Sequence, residues 1–176
     1  MRTFQLWFTV LLLLTASPVG AKDLFDTIQS TTRQHATHET QNEIQPHRQS
    51  TMQEVLLNAL SLKGVRYRYG GTSPDTGFDC SGFVRYVFRE AANISLPHNA
   101  RAISQIGNII APDQLQPGDL VFYNTMRSAF SHVGIYLGNN RFIHAPSSGG
   151  GIRVVDMNDA YWSKRFDGAR RITDNY

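Results

Sequence analysis

The chain has 176 residues, 41% of them hydrophobic and 18% charged, which fits one globular domain with a short extension and excludes a wholly disordered polymer. Its formal net charge is +3, and the basic residues are not gathered on one element, so the footprint of a nucleic-acid binder is missing. The single cysteine, Cys80, rules out an internal disulfide and leaves one thiol to be either buried or used.

In chain order, Met1-Arg2 opens a short positive region, residues 4–14 are apolar apart from Gln5 and Thr9, and Val19 and Ala21 stand at the small-residue positions of a cleavage site. Residues 1–21 therefore read as a secretory signal peptide, too short in its apolar part for a spanning helix of about 20 residues. No cysteine follows the leader, so lipid attachment there is excluded, membrane anchoring is not expected, and a periplasmic or secreted protein is. Residues 22–50 are rich in Gln, Thr, Ser and His and read as a flexible polar arm. His35 and His38 are one helical turn apart in this arm, but no cysteine or acidic set accompanies them, and no metal is expected.

The domain is expected to span residues 51–176. Met52, Val55, Leu56, Ala59 and Leu60 recur at helical spacing, and Gly64 ends that pattern. Residues 65–69 are β-prone, and Gly70-Gly71 with Ser73-Pro74-Asp75 marks a tight loop. Asp79 is placed to cap a helix whose buried face is Phe83, Val84, Val87 and Phe88, and a short helix is expected over 99–107. Strands are then predicted over 119–123, 132–137, 141–144, 152–155 and 169–172, with a hairpin turning at Gly138-Asn139-Asn140. Helices first and strands second indicate an α+β domain, with N-terminal helices packed on an antiparallel β-sheet.

Cys80 follows the cap and so lies in the first helical turn, where unpaired backbone N–H groups and the positive end of the helix dipole point. That position, with an imidazolium beside it, lowers a thiol pKa, and the same N–H groups can receive an oxyanion. Ser81-Gly82 is expected to leave the approach to the sulfur open. His132 opens one predicted strand and His144 ends the next. A hairpin folded about Asn139 brings them together, with His132 as base for the thiol and His144 fixing its tautomer.

Tyr67-Arg68-Tyr69-Gly70-Gly71 and Gly77-Phe78-Asp79-Cys80-Ser81-Gly82-Phe83-Val84 resemble the nucleophile segment of the NlpC-type cell-wall cysteine peptidases. Pro117-Gly118-Asp119-Leu120-Val121-Phe122, Ser131-His132-Val133-Gly134-Ile135-Tyr136-Leu137-Gly138 and Phe142-Ile143-His144-Ala145 continue the likeness. It runs over residues 52–172 and, with Tyr161-Trp162 and Ala169-Arg170-Arg171, is nearest the MepS-like murein endopeptidases. The resemblance implies a papain-like fold and hydrolysis of peptidoglycan stem peptides at bonds involving D-amino acids and diaminopimelate; no cofactor is implied, and a monomer is expected. It implies Cys80 as nucleophile, His132 as base, His144 as third residue, Tyr67 as a donor to the oxyanion or substrate, and Ser81 and Asp79 as neighbours that contact substrate. Two departures bear on the bond cleaved: His98 stands in Leu96-Pro97-His98 where relatives often have arginine, and the loop 124–130 has its own sequence. Competing expectations are a wall-binding module without turnover, and an amidase toxin or acyltransferase on the same fold.

Overall fold

The structure is a computed structural model and describes residues 49–173. The expected signal peptide, most of the polar arm and its histidine pair lie outside the described residues. Helix α1 (49–61) already includes residues 49 and 50. It is followed by β1 (Thr72–Ser73) and β2 (Gly77–Phe78), which pair as a small hairpin, then α2 (Cys80–Ala92) and the single turn α3 (Ala100–Ile103). The remaining strands are β3 (Asn108–Ile110), β4 (Leu120–Tyr123), β5 (His132–Gly138), β6 (Arg141–His144), β7 (Arg153–Asp156) and β8 (Phe166–Arg171), with the short α4 (Ala160–Ser163) between the last two. These six form one antiparallel sheet in the order β3-β8-β4-β5-β6-β7. The α+β architecture with an antiparallel sheet is as the sequence predicted.

Helix α2 forms for identifiable reasons. Asp79 takes an extended conformation and its side chain accepts from the Gly82 N–H at 2.7 Å, satisfying one of the free donors of the first turn. Asn93 ends the helix in the left-handed region, with φ 54°, and its N–H bonds back to Phe88 and Arg89 carbonyls. Phe83, Val84, Val87 and Phe88 lie on one face and are fully buried. They join Val55 and Ala59 of α1, Leu120 and Phe122 of β4, Val133 and Ile135 of β5 and Ile143 of β6 in the main core. Each such side chain contributes about 1.5–3 kcal/mol by leaving water.

The other sheet face is also covered. Val121, Tyr123, Tyr136, Phe142, Ala169 and Trp162 make a second, largely aromatic cluster. This explains why β4 reads Leu-Val-Phe-Tyr with no polar alternation: all four residues are buried. The β5–β6 hairpin turns at Asn139 and Asn140, with φ 50° and 56°, the paired positive values a tight primed turn demands. The start of β4 is tied to the end of β8 by a two-pronged ion pair. Arg171 Nε donates to Asp119 Oδ1 at 2.7 Å and Nη2 to Oδ2 at 2.8 Å, with the Asp119 carboxylate buried.

Two elements depart from the sequence reading. Residues 65–69 form no extended strand and make only isolated bridges, from Arg66 to Gly151 and from Tyr67 to Phe78. The helix predicted over 99–107 shrinks to one turn, and β3 follows it on the sheet edge. No described helix is long and apolar enough to cross a membrane.

Candidate active site

Cys80 is the first residue of α2 and is half-buried. The loop in front of the helix is fixed by one carboxylate. Asp79 Oδ1 accepts from Gly82 N and from the Ser81 hydroxyl at 2.9 Å, and Oδ2 accepts from Gly70 N at 3.0 Å. The buried Ser81 hydroxyl is shared with the His98 carbonyl at 3.1 Å, so the segment carrying His98 is drawn against the same turn. Gly82 has a further reason to be small. It is buried, and a Cβ there would run into the carbonyl oxygen of Gly71. Its size lets the helix start close against that loop.

The two strand histidines meet. His132 Nε2 lies 2.8 Å from His144 Nδ1, both rings are buried, and their planes are nearly perpendicular at 83°. Gly134, next on the same face of β5, leaves room for this packing. A Cβ at that position would come within 2.6 Å of the Phe142 ring and 2.8 Å of the Ile143 carbonyl oxygen. With Nε2 engaged, Nδ1 is the His132 nitrogen left for another partner.

The sulfur lies at the start of β5. The backbone N–H groups of Val133, one residue beyond His132, of Ser81 and of Cys80 itself lie near enough to the sulfur to lower its pKa. Cys80 also interacts electrostatically with Tyr67, which is partly buried, whereas Tyr69 is 89% exposed. Of the two tyrosines, Tyr67 is the partly buried one whose phenol is influenced by Cys80. The Val133 N–H has no side-chain signature, so only the folded register reveals it.

The protonation states differ from the sequence-based expectation of an acidic thiol. Burial, assisted by the Asp79 carboxylate, pushes the Cys80 thiol up to about 11, outweighing the three N–H donors that pull it down. Burial pushes His132 down to about 4. His144 is lowered too, by burial first and then by His132 and Arg153. Both shifts oppose a lone charge in this environment. Burial thus favours the neutral form of the thiol and of both imidazoles, and charges here are least costly when they appear together by proton transfer. Burial, with the nearby sulfur, Asp79 and Tyr69, also raises the Tyr67 phenol, keeping its hydroxyl a donor.

A residue whose role in the site the sequence did not disclose is Trp162 on α4. Its indole stacks on His132 at 5.7 Å and 29°, and meets His144 edge-on at 4.9 Å and 79°. The loop 124–130 is held in place by Phe130 N donating to Asp167 Oδ2 at 2.7 Å and by Arg101 Nη2 donating to Ser128 Oγ and the Ala129 carbonyl. Arg127 in that loop is exposed.

Comparison with known proteins gives one answer. Residues 64–171 match the NlpC/P60 family. Murein DD-endopeptidase MepS/Murein LD-carboxypeptidase of Escherichia coli K12 is 46% identical over 110 residues, covering 62% of this chain and 57% of that protein. Murein DD-endopeptidase MepH of the same organism is 39% identical over 123 residues, covering 68% of this chain and 45% of that one. The chain thus spans about half the length of these relatives. Among solved structures, an NLP/P60-family protein from Staphylococcus aureus Mu50, described as similar to lipoprotein, superposes with a TM-score of 0.64 at 38% identity, over 71% of this chain and 42% of that one. A matched segment that contains the thiol and both histidines, with these relatives, establishes that the chain belongs to the NlpC/P60 family.

Proposed function

We propose that this domain is a peptidoglycan endopeptidase in which Cys80 attacks a stem-peptide carbonyl and His132 takes the thiol proton. The observation that carries the reading is the buried 2.8 Å contact between His132 Nε2 and His144 Nδ1, one residue before the Val133 N–H that lowers the thiol pKa. With His132 Nε2–H donating to a neutral His144, Nδ1 is a free lone pair for the thiol proton. The relatives' names, murein DD-endopeptidase and LD-carboxypeptidase, support a wall-peptide substrate.

In the reaction, the Cys80 proton moves to His132 Nδ1 as the sulfur forms a bond to the substrate carbonyl carbon. The carbonyl electron pair becomes an oxyanion, received by the Cys80 N–H and the Tyr67 hydroxyl. Collapse breaks the carbon–nitrogen bond, and the proton on His132 goes to the leaving amine, leaving a thioester. Water then attacks the thioester while His132 takes its proton. The acyl half departs as a carboxylic acid and the thiol is restored. Asp79 and Ser81 hold the nucleophile's turn. No step calls for a metal or organic cofactor. The leader-like residues 1–21 and the location of the polymer support action outside the cytoplasm, in the periplasm or secreted.

Purified protein should release soluble muropeptides from isolated sacculi, and Cys80→Ala should abolish release while retaining the parent's thermal unfolding. Mass analysis of the products identifies the bond. Equal release by the two proteins rejects the thiol mechanism, and binding without release by the parent would mark a wall-binding module.

A further inference from the structure

The histidine pair is held from outside by one indole. Trp162 belongs to a one-turn helix fixed at both ends. Its N–H bonds to the Asp159 carbonyl at 2.9 Å, and the Asn124 N–H bonds to the Arg165 carbonyl at 2.8 Å, docking the turn at the end of β4. The Arg165 guanidinium lies 4.0 Å over the Tyr161 ring and Nη1 bonds to the Tyr161 carbonyl. The indole is packed by Tyr123 at 4.9 Å, Phe142 at 5.0 Å and Tyr161 at 4.9 Å, all edge-on. Its place is therefore overdetermined, and His132 is the one ring among these that it meets near-parallel, at 29°.

That geometry has two consequences. Stacking restrains rotation of the His132 ring, whose Nε2 must stay on His144. A π face against an imidazole also attracts the cation that forms when the ring gains a proton. The titratable groups around this line are few. Cys80 and Asp79 come from α2 and its cap, with Tyr67 beside them. Tyr123 of β4 is the register partner of His132, and Arg153 of β7 that of His144. No carboxylate pairs with either histidine among the described residues. The neutral indole is the group placed to favour the imidazolium.

We propose that Trp162 is a positioning residue that holds the His132 ring toward the thiol and favours its protonated form during proton transfer. This rests on the assignment of Cys80 and His132 as a reacting pair, and its deciding measurement, alkylation of the thiol, needs no peptidoglycan. Trp162→Phe and Trp162→Leu both shorten the side chain, but only phenylalanine keeps a π face. The rate of Cys80 alkylation by iodoacetamide is measured against pH for each, alongside thermal unfolding and, on stem peptides, kcat and KM. The leucine variant should react about tenfold more slowly than the phenylalanine variant at neutral pH, and its acidic midpoint should lie about one pH unit lower. On stem peptides kcat should fall while KM holds. Matching alkylation profiles for the two folded variants, or an acidic midpoint that moves upward in the leucine variant, overturns the proposal. A parent that alkylates as described but leaves stem peptides intact would refute the substrate assignment alone.

Discussion

At the scale of single residues, the proposed mechanism calls for a neutral donor–acceptor line rather than a standing ion pair. On that reading His144 accepts at Nδ1, and burial, then His132 and Arg153, lower its pKa and favour the uncharged ring. The physical requirement is an acceptor, not an imidazole. His144→Ala should lower kcat about 100-fold, because His132 Nε2–H is left buried without a partner and the ring loses its tautomer. His144→Asn, whose amide oxygen can accept, should recover a substantial part of that loss. Steady-state rates on a defined muropeptide check this, and equal rates for the two variants would refute the acceptor role. That His132 and His144 meet was legible because a hairpin about Asn139 sets each of them at a strand end. Trp162, the Val133 N–H and the raised thiol pKa were not. They depend on what packs around the reacting atoms, and burial has no local signature in a string of residues.

At the scale of elements, the start of α2 is the critical joint. Asp79 caps the helix, holds the Gly70 loop and orients Ser81 through one carboxylate. Its substitution therefore removes more than a cap. Asp79→Ala should destabilise the domain by about 2 kcal/mol, the upper range for a lost cap, measured by urea unfolding at neutral pH. A change within a few tenths of a kcal/mol would show that the turn is held elsewhere. The cap, the α2 face and the Asn139-Asn140 hairpin could all be read ahead, since each follows from short-range chemistry. Strand β3 could not. Asn108, Ile109 and Ile110 form an edge whose pairing with β8 is a long-range backbone event, and Ile109 is 80% exposed despite its apolar side chain. Residues 65–69 misled in the opposite sense. Their β-prone side chains bridge to Gly151 and Phe78 on either side without forming a continuous ladder.

At the scale of the whole molecule, burying neutral titratable groups links function to stability. An unfolded His132 binds a proton near pH 6.5, but the folded one does so only near 4. The unfolded state therefore takes up more protons as pH falls through that window, and stability is lost there. His132 alone contributes about 3 kcal/mol of loss by pH 4, and His144 adds in the same direction. Cys80 has the mirror effect. Its folded pKa is raised, so stability is lost as pH climbs from about 9 towards 11. Urea unfolding from pH 7 to 4 should show the acid decline, and His132→Gln should flatten it; an equally steep decline in that variant would contradict the assignment.

The proposed catalysis turns on a covalent step at the one sulfur. A cross-linked muropeptide mixed with the protein and quenched in acid should leave Cys80 carrying the acyl half of the substrate as a thioester. Intact mass and peptide mapping locate the adduct. The predicted result is a transient adduct on Cys80 of the parent, with neither adduct nor product from Cys80→Ala. Products formed at the parent rate by Cys80→Ala would contradict it.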